Sequence, residues 1–167
     1  MKRLAPFFLA VLFAAGCSYH LAGQGSSLPE NIKSISIPVF ESDVQQPNLD
    51  ITVTRAVTQR FIKDGRLTVV SGGADSLLTG VIKSYALEPV AFDSLNRVSQ
   101  YRIKLMVKVK FTDNTGKGIA LDRELRVQWD YSVGAAIPAA ETARNQADGE
   151  AADYLGDRLV GLILEGF

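Results

Sequence analysis

Between Tyr101 and Tyr131 apolar and polar residues alternate twice over, once on each side of a turn, and this run limits what the rest of the chain can fold into. Tyr101, Ile103, Leu105, Val107, Val109 and Phe111 alternate with Arg102, Lys104, Met106, Lys108 and Lys110, the period-2 pattern of a strand with one buried face. Asp113-Asn114-Thr115-Gly116 suits a three-residue hairpin loop with Gly116 in the left-handed position. The return strand places Ile119, Leu121, Leu125, Val127, Trp129 and Tyr131 on one face and Asp122, Glu124, Arg126, Gln128 and Asp130 on the other, with only Arg123 out of pattern. Two strands this long expose an apolar face that neither can cover, so helices must pack on it, with Leu105, Val107 and Val109 beneath them.

The remaining elements follow in order. Ile32, Ile35, Ile37 and Val39 mark a first strand; Pro38 lacks an amide donor, which predicts a sheet edge or an unpaired Pro38 side. Leu49, Val53, Val57 and Phe61 recur every four residues, which predicts an amphipathic helix from about Asp50 to Lys63, capped by Asp50 and stopped by Gly65. Leu67, Val69 and Val70 form a short second strand, parallel to the first through a crossover. Ser71-Gly72-Gly73 is followed by neither a lysine nor a helix, so it is no phosphate cradle. A third strand runs from Ser76 to about Ala91, Asp93 to Asn96 turn the chain, and the third, fourth and fifth strands form an antiparallel meander. Residues 132–137 link to a last helix opened by Pro138. Its stripe is Ala147, Ala151, Leu155, Leu159, Leu162 and Ile163, with Asp148 mostly off it; Gly149, Gly156 and Gly161 suggest close contact with a sheet or partner. The expected fold is an α+β two-layer sandwich, two helices on one face of a mixed, mostly antiparallel sheet of about five strands.

The first residues set the destination. Lys2-Arg3, an apolar run from Leu4 to Phe13 and Ala14-Ala15-Gly16 precede Cys17, the layout of a secretory signal too short to span a membrane as a helix. Ala14-Ala15-Gly16-Cys17 resembles a bacterial lipobox, which implies cleavage before Cys17 and its acylation; Ser18 resembles the default sorting signal for the outer membrane. Residues 1–16 are then a signal peptide, 17–30 a lipidated tether rich in Gly and Ser, and 31–167 the folded domain. With 18 basic and 18 acidic side chains in all, loss of Lys2 and Arg3 leaves a slight acidic excess, which argues against nucleic acid as a partner. One cysteine and one histidine leave no disulfide, metal set or partnered nucleophile; with no Gly-x-Ser-x-Gly, no catalytic residue, cofactor or metal is expected, and the chain does not read as an enzyme. Asp75 and Asp93 are the last candidates for a raised pKa in a cleft.

Cys17-Ser18-Tyr19-His20-Leu21, Leu28-Pro29, Gly80 in the third strand, Gln100-Tyr101 opening the fourth and Arg144 entering the last helix together resemble the lipopolysaccharide-assembly lipoprotein family LptE. Ala22 stands where relatives often carry arginine after His-Leu. The resemblance implies a lipoprotein that plugs the LptD β-barrel and helps deliver lipopolysaccharide to the outer leaflet, held on the periplasmic side of the outer membrane by its lipid. It also implies a lipopolysaccharide contact near the hairpin turn and the final helix. Arg144 matches the second position, and Arg97 stands in the same loop as the first, where Asp93 occupies the position of an arginine in some relatives.

The stripe of Arg102, Lys104, Lys108 and Lys110 offers phosphate chemistry as well. A three-residue loop would set Lys108 opposite Asp122 and Lys104 opposite Arg126, which neutralises only part of the stripe; a solvated, self-paired face is the competing reading. Arg102 and Lys104 join Arg97 and Arg144 as candidate lipopolysaccharide contacts. His20 reads as a membrane-proximal partner contact, and Trp129 and Tyr131 as core. A generic outer-membrane-anchored scaffold or binding lipoprotein is the alternative function. If the lipobox reading holds, mass spectrometry of membrane-extracted protein will find the acyl mass on a peptide beginning at Cys17; an unmodified terminus elsewhere would remove the anchor.

Overall fold

The computed structural model describes residues 28–115, 118–134 and 136–166, so the expectations for Cys17, His20, most of the tether and Gly116 lie outside the described residues. Among the described residues, six strands and two helices follow in the order β1 (Ser34–Ser36), β2 (Glu41–Ser42), α1 (Leu49–Asp64), β3 (Thr68–Val69), β4 (Ser76–Phe92), β5 (Val98–Asp113), β6 (Gly118–Ser132) and α2 (Ile137–Leu164). The sheet order is β3-β1-β4-β5-β6, with β2 also on β4. β1 runs parallel to β3 and β4, β2 parallel to β4, and β4-β5-β6 is the antiparallel meander. The expected two-layer α+β sandwich is therefore the observed architecture.

Its core is the apolar face of the meander under the helices. Ile103, Leu105, Val107, Val109 and Phe111 of β5 are buried, as are Leu78 and Ile82 of β4, Leu125 and Val127 of β6, and Ala151, Leu155 and Leu159 of α2. Among the described residues, the 28-residue α2 is the only helix long enough to follow strands of fifteen to seventeen residues. α1 instead packs on α2: an added side-chain carbon at Gly156 would lie 2.7 Å from Arg60 Cγ and 3.4 Å from the Ala56 carbonyl. Of the three helix glycines Gly156 alone marks a close approach; around Gly149 there is open space, and Gly161 meets only the Glu165 side chain. Gly80 marks another, because the buried Phe40 ring lies where a Cβ would project.

Several local expectations are corrected. β1 is flanked by β3 and β4 and so is not an edge strand, whereas the other alternative, an unpaired Pro38 side, holds: the strand ends at Ser36 and pairing on β4 resumes only at Glu41. The cap of α1 is Asn48, left-handed at φ 59°, while Asp50 lies in the first turn, where its charge favours the helix dipole. Gly65 does end α1 in the left-handed conformation, at φ 77°. The β5–β6 register differs by two residues from that of a three-residue loop. Asp113 pairs with Gly118, one residue further on, and a bulge at Phe111/Thr112 adds the second. Lys108 consequently stands opposite Glu124 and Lys104 opposite Gln128, not Asp122 and Arg126.

Asp148 is the other surprise, for it points into the core with only 8% exposure. Its Oδ1 accepts a hydrogen bond of 2.8 Å from the Tyr85 hydroxyl of β4. Burial raises the Asp148 carboxyl above the usual range, with the Tyr85 hydroxyl and the Arg144 charge pulling it back; burial also raises Tyr85. Trp129 is half-buried rather than core, its indole N–H donating to Glu150 at 2.9 Å and its ring 5.9 Å from that of Tyr154. Tyr131 is buried, stacked on Tyr101 at 6.0 Å.

Leu105→Ala should lower unfolding free energy by about 2–5 kcal/mol in denaturant titration, the usual cost of an unfilled core site; a change within error would place that face in solvent. Asp148 gives a pH signature. A carboxyl whose folded pKa is raised contributes stability that is full below the ordinary carboxylate range and is lost as pH rises through the raised value. Wild type should therefore lose stability relative to Asp148→Asn as pH rises above about 4, the ordinary carboxylate value, measured as melting temperature, and parallel curves would contradict the burial.

Candidate functional site

The basic residues singled out in the sequence are not gathered in one place: Arg97 lies in the β4–β5 turn, Arg102, Lys104, Lys108 and Lys110 on the open face of β5, and Arg144 on α2 beneath the sheet. Asp93 builds the turn: its Oδ1 accepts from the amides of Leu95 (2.8 Å) and Arg97 (2.9 Å), and its amide donates to the Arg97 carbonyl at 2.8 Å. Asn96 takes the left-handed conformation at φ 58° that so tight a reversal needs. Arg97 is thereby folded back on Asp93, with Nη2 2.7 Å from Oδ2. Those donors, led by the backbone amide of Arg97, hold Asp93 below the usual carboxylate range. Asp75 is lowered too, chiefly by the amide of Lys33 and the hydroxyl of Ser34. Neither carboxylate has the raised pKa that a general acid would need at neutral pH.

Arg102 makes a two-pronged pair with Asp130 across β5–β6, at 2.6 and 2.7 Å. Lys104 reaches the other way to Glu88 of β4 at 2.7 Å. Lys108 contacts Asp122 diagonally at 3.5 Å, and Lys83 contacts Asp43 at 2.7 Å. The stripe is thus more fully neutralised than the expected register implied, and among the described residues Lys110 is the member without an ion pair. The chain reversal also brings Asp93 onto Arg97, so that cation too is paired.

Arg144 differs from these. It stands on α2 one turn before Asp148, and its charge acts on Asp148, Tyr85 and Tyr131. Its buried Nε has no hydrogen-bond partner. Arg144, Tyr85, Tyr131 and Asp148 form one polar group under the distal half of the sheet, with Tyr101 stacked on Tyr131. Sequence reasoning missed this group because Asp148 was assigned to the solvent side; its place directly after Ala147 of the stripe was the available signal.

The open sheet face also carries a shallow depression of about 390 Å³ bordered by Thr79, Lys83, Lys108, Lys110 and Asp122. No group of three or more His, Cys, Asp or Glu side chains that could hold a metal occurs among the described residues. No described helix is long and apolar enough to cross a membrane. What the arrangement offers is cations beside apolar surface, which suits an amphipathic anion better than it suits covalent chemistry.

Comparison with solved structures reports the same fold at low identity. Rare lipoprotein B from Shewanella oneidensis is 17% identical, with a TM-score of 0.53 over 77% of this chain and 91% of that one. A lipoprotein B from Nitrosomonas europaea is 14% identical, with a TM-score of 0.51 over 87% and 92%. The hypothetical protein CT253 from Chlamydia trachomatis is 7% identical, with a TM-score of 0.56 over 79% and 98%. No curated protein matches the sequence. A family model described as LptE, lipopolysaccharide-assembly, matches residues 32–160, a span that takes in every strand and most of α2, and the chain therefore belongs to the LptE family of lipopolysaccharide-assembly proteins.

Proposed function

We propose that the chain is a lipoprotein anchored through Cys17 to the periplasmic side of the outer membrane, seated as a plug in the LptD β-barrel, where it assists the assembly of lipopolysaccharide at the outer leaflet. The family match over residues 32–160 carries this reading. Two physical features support it. The strands β4, β5 and β6 of fifteen to seventeen residues reach about 50 Å at roughly 3.3 Å per residue, more than the ~25 Å apolar band of such a barrel. The open sheet face is polar and largely self-paired, as a water-filled lumen requires. The role asks for no catalysis; the domain acts by occupying and shaping a passage.

Direct lipopolysaccharide contact is assigned to Arg144 and Arg97, with Arg102 and Lys104 as further contacts on the open face of the sheet. The ion pairs already made by Arg97, Arg102 and Lys104 are no obstacle, because exposed pairs contribute only about 0–1 kcal/mol each and a lipid phosphate can replace the carboxylate. Arg144, with its unpartnered Nε, gives up least on binding.

Co-expression with the barrel should return a complex after detergent extraction, and recovery of the chain alone would remove the plug reading. On purified protein, Arg97→Asp with Arg144→Asp should weaken lipopolysaccharide binding, the loss shrinking as salt is raised. Lys108→Asp should cost less. If the double substitution leaves affinity unchanged while Lys108→Asp abolishes it, the contact lies on the sheet face instead.

A further inference from the structure

We infer that Asp148, held by Tyr85, sets how strongly Arg144 takes an anion: with its proton the carboxyl leaves the Arg144 charge to a phosphate-bearing ligand, and without it the carboxylate neutralises that charge. The inference deepens the proposed function and rests on it for the ligand, lipopolysaccharide. Asp148 follows Arg144 by four residues on α2, so the two side chains leave the helix on one face, a turn apart. Asp148 is 8% exposed, and the Tyr85 hydroxyl of β4 donates to its Oδ1 at 2.8 Å. Arg144 is only part-buried, within reach of a ligand, yet its Nε is buried and has no hydrogen-bond partner. It forms none of the ion pairs found among the described residues, whereas Arg97, Arg102 and Lys104 each hold a carboxylate.

Few titratable groups surround this pair. β4 contributes Tyr85 and β6 contributes Tyr131, on which Tyr101 of β5 is stacked; α2 contributes Arg144. Also on α2, Glu141 is exposed and does not act on Asp148, and Glu150 is taken up by Trp129 and Gln146. Burial raises the phenols of Tyr85 and Tyr131, so as pH climbs from the carboxylate range Asp148 ionises before them. Burial opposes its ionisation and the Arg144 charge favours it. An anion bound at Arg144 cancels that favour and so holds the proton on Asp148; by reciprocity, the proton on Asp148 strengthens binding of the anion. Below the ordinary carboxylate range the Arg144–Asp148 pair carries one net positive charge. Above the raised value it carries none, and the anion is held less tightly.

Full-length lipoprotein in non-ionic detergent is titrated with lipopolysaccharide from about pH 4 upward, as wild type, Asp148→Asn, Arg144→Gln and the two substitutions together. The ligand's own phosphates titrate alike against every variant, so ratios between variants isolate Asp148. Asp148→Asn, uncharged at every pH, should match wild type at the acid end and bind about fivefold or more tighter at the upper end. In the Arg144→Gln background the same substitution should change affinity about twofold or less. Tyr85→Phe removes the hydrogen bond that favours the carboxylate, so the pH at which affinity falls should move upward; loss of packing alone would not move it. Wild type and Tyr85→Phe carry this part of the test without any change at Asp148. If wild type binds but the Asp148→Asn ratio stays near one at every pH, the inference is overturned and the lipopolysaccharide contact stands. The same holds if the ratio persists without Arg144, or if Tyr85→Phe leaves the pH of the fall in place or lowers it. Absence of wild-type binding at every pH overturns both.

Discussion

One apolar face, about fifteen residues long and three strands wide, governs this fold. β4, β5 and β6 cannot leave Ile103, Leu105, Val107 and Val109 in water, and burying each such side chain contributes roughly 1.5–3 kcal/mol, so a cover of matching length is required. α2 is that cover: its 28 residues, at about 1.5 Å each, span some 42 Å. Everything else adjusts to the seam between helix and sheet. α1 is too short to follow the strands and packs on α2 through the groove at Gly156, where Arg60 crosses to Asp157. Phe40 fills the corner that Gly80 leaves open.

Side-chain periodicity carried most of this information. Alternation in β5 and β6 gave the buried face, and a four-residue repeat gave α1, because in both cases the burial requirement acts on consecutive side chains of one element. The errors fall where the deciding partner is distant in sequence. The register of β5 on β6 depends on loop length and a bulge at Phe111/Thr112, neither of which alters the alternation of either strand. The interior place of β1 depends on β4 pairing with it across some forty residues. Asp148 looked like a solvent residue because a carboxylate in a core is costly, and only the hydroxyl of Tyr85, sixty-three residues away, makes its position tolerable. The candidate arginines were legible as cations, but their pairing with Asp93 and Asp130 is set by the turn and the register and could not be read from composition.

The electrostatic pattern follows from the same geometry. Once β6 is placed on β5, acidic residues of one strand fall within reach of basic residues of its neighbour, and a face that reads as a cationic stripe becomes mostly paired. Exposed pairs add little stability. Their consequence is for recognition: they lower the long-range attraction for a polyanion and leave selectivity to close contacts, such as those around Arg144. On the proposed reading, in which the domain stays in a passage while anionic lipid moves past, weak long-range attraction is an advantage, since tight capture would slow release.

The sheet is also unequal along its length. β1, β2 and β3 brace only the first part of β4, and after the bulge at Ile82/Ser84 the strand has β5 as its only neighbour among the described residues. The distal half is a three-stranded ribbon with two open edges, covered on one side by the first turns of α2 and held there by Tyr85–Asp148 and Trp129–Glu150. Open edges invite pairing with other chains, and here they are guarded by charged residues and, at Arg126, by a bond from Arg158 to the edge carbonyl. This half therefore has fewer interstrand bonds than the braced half. The candidate contacts Arg97, Arg102 and Arg144 and the exposed Phe92, Leu95 and Ile137 all lie in it. The proximal half is therefore the braced part of the sheet, and on the proposed reading the distal half is where a partner or a lipid would be accommodated without disturbing the core.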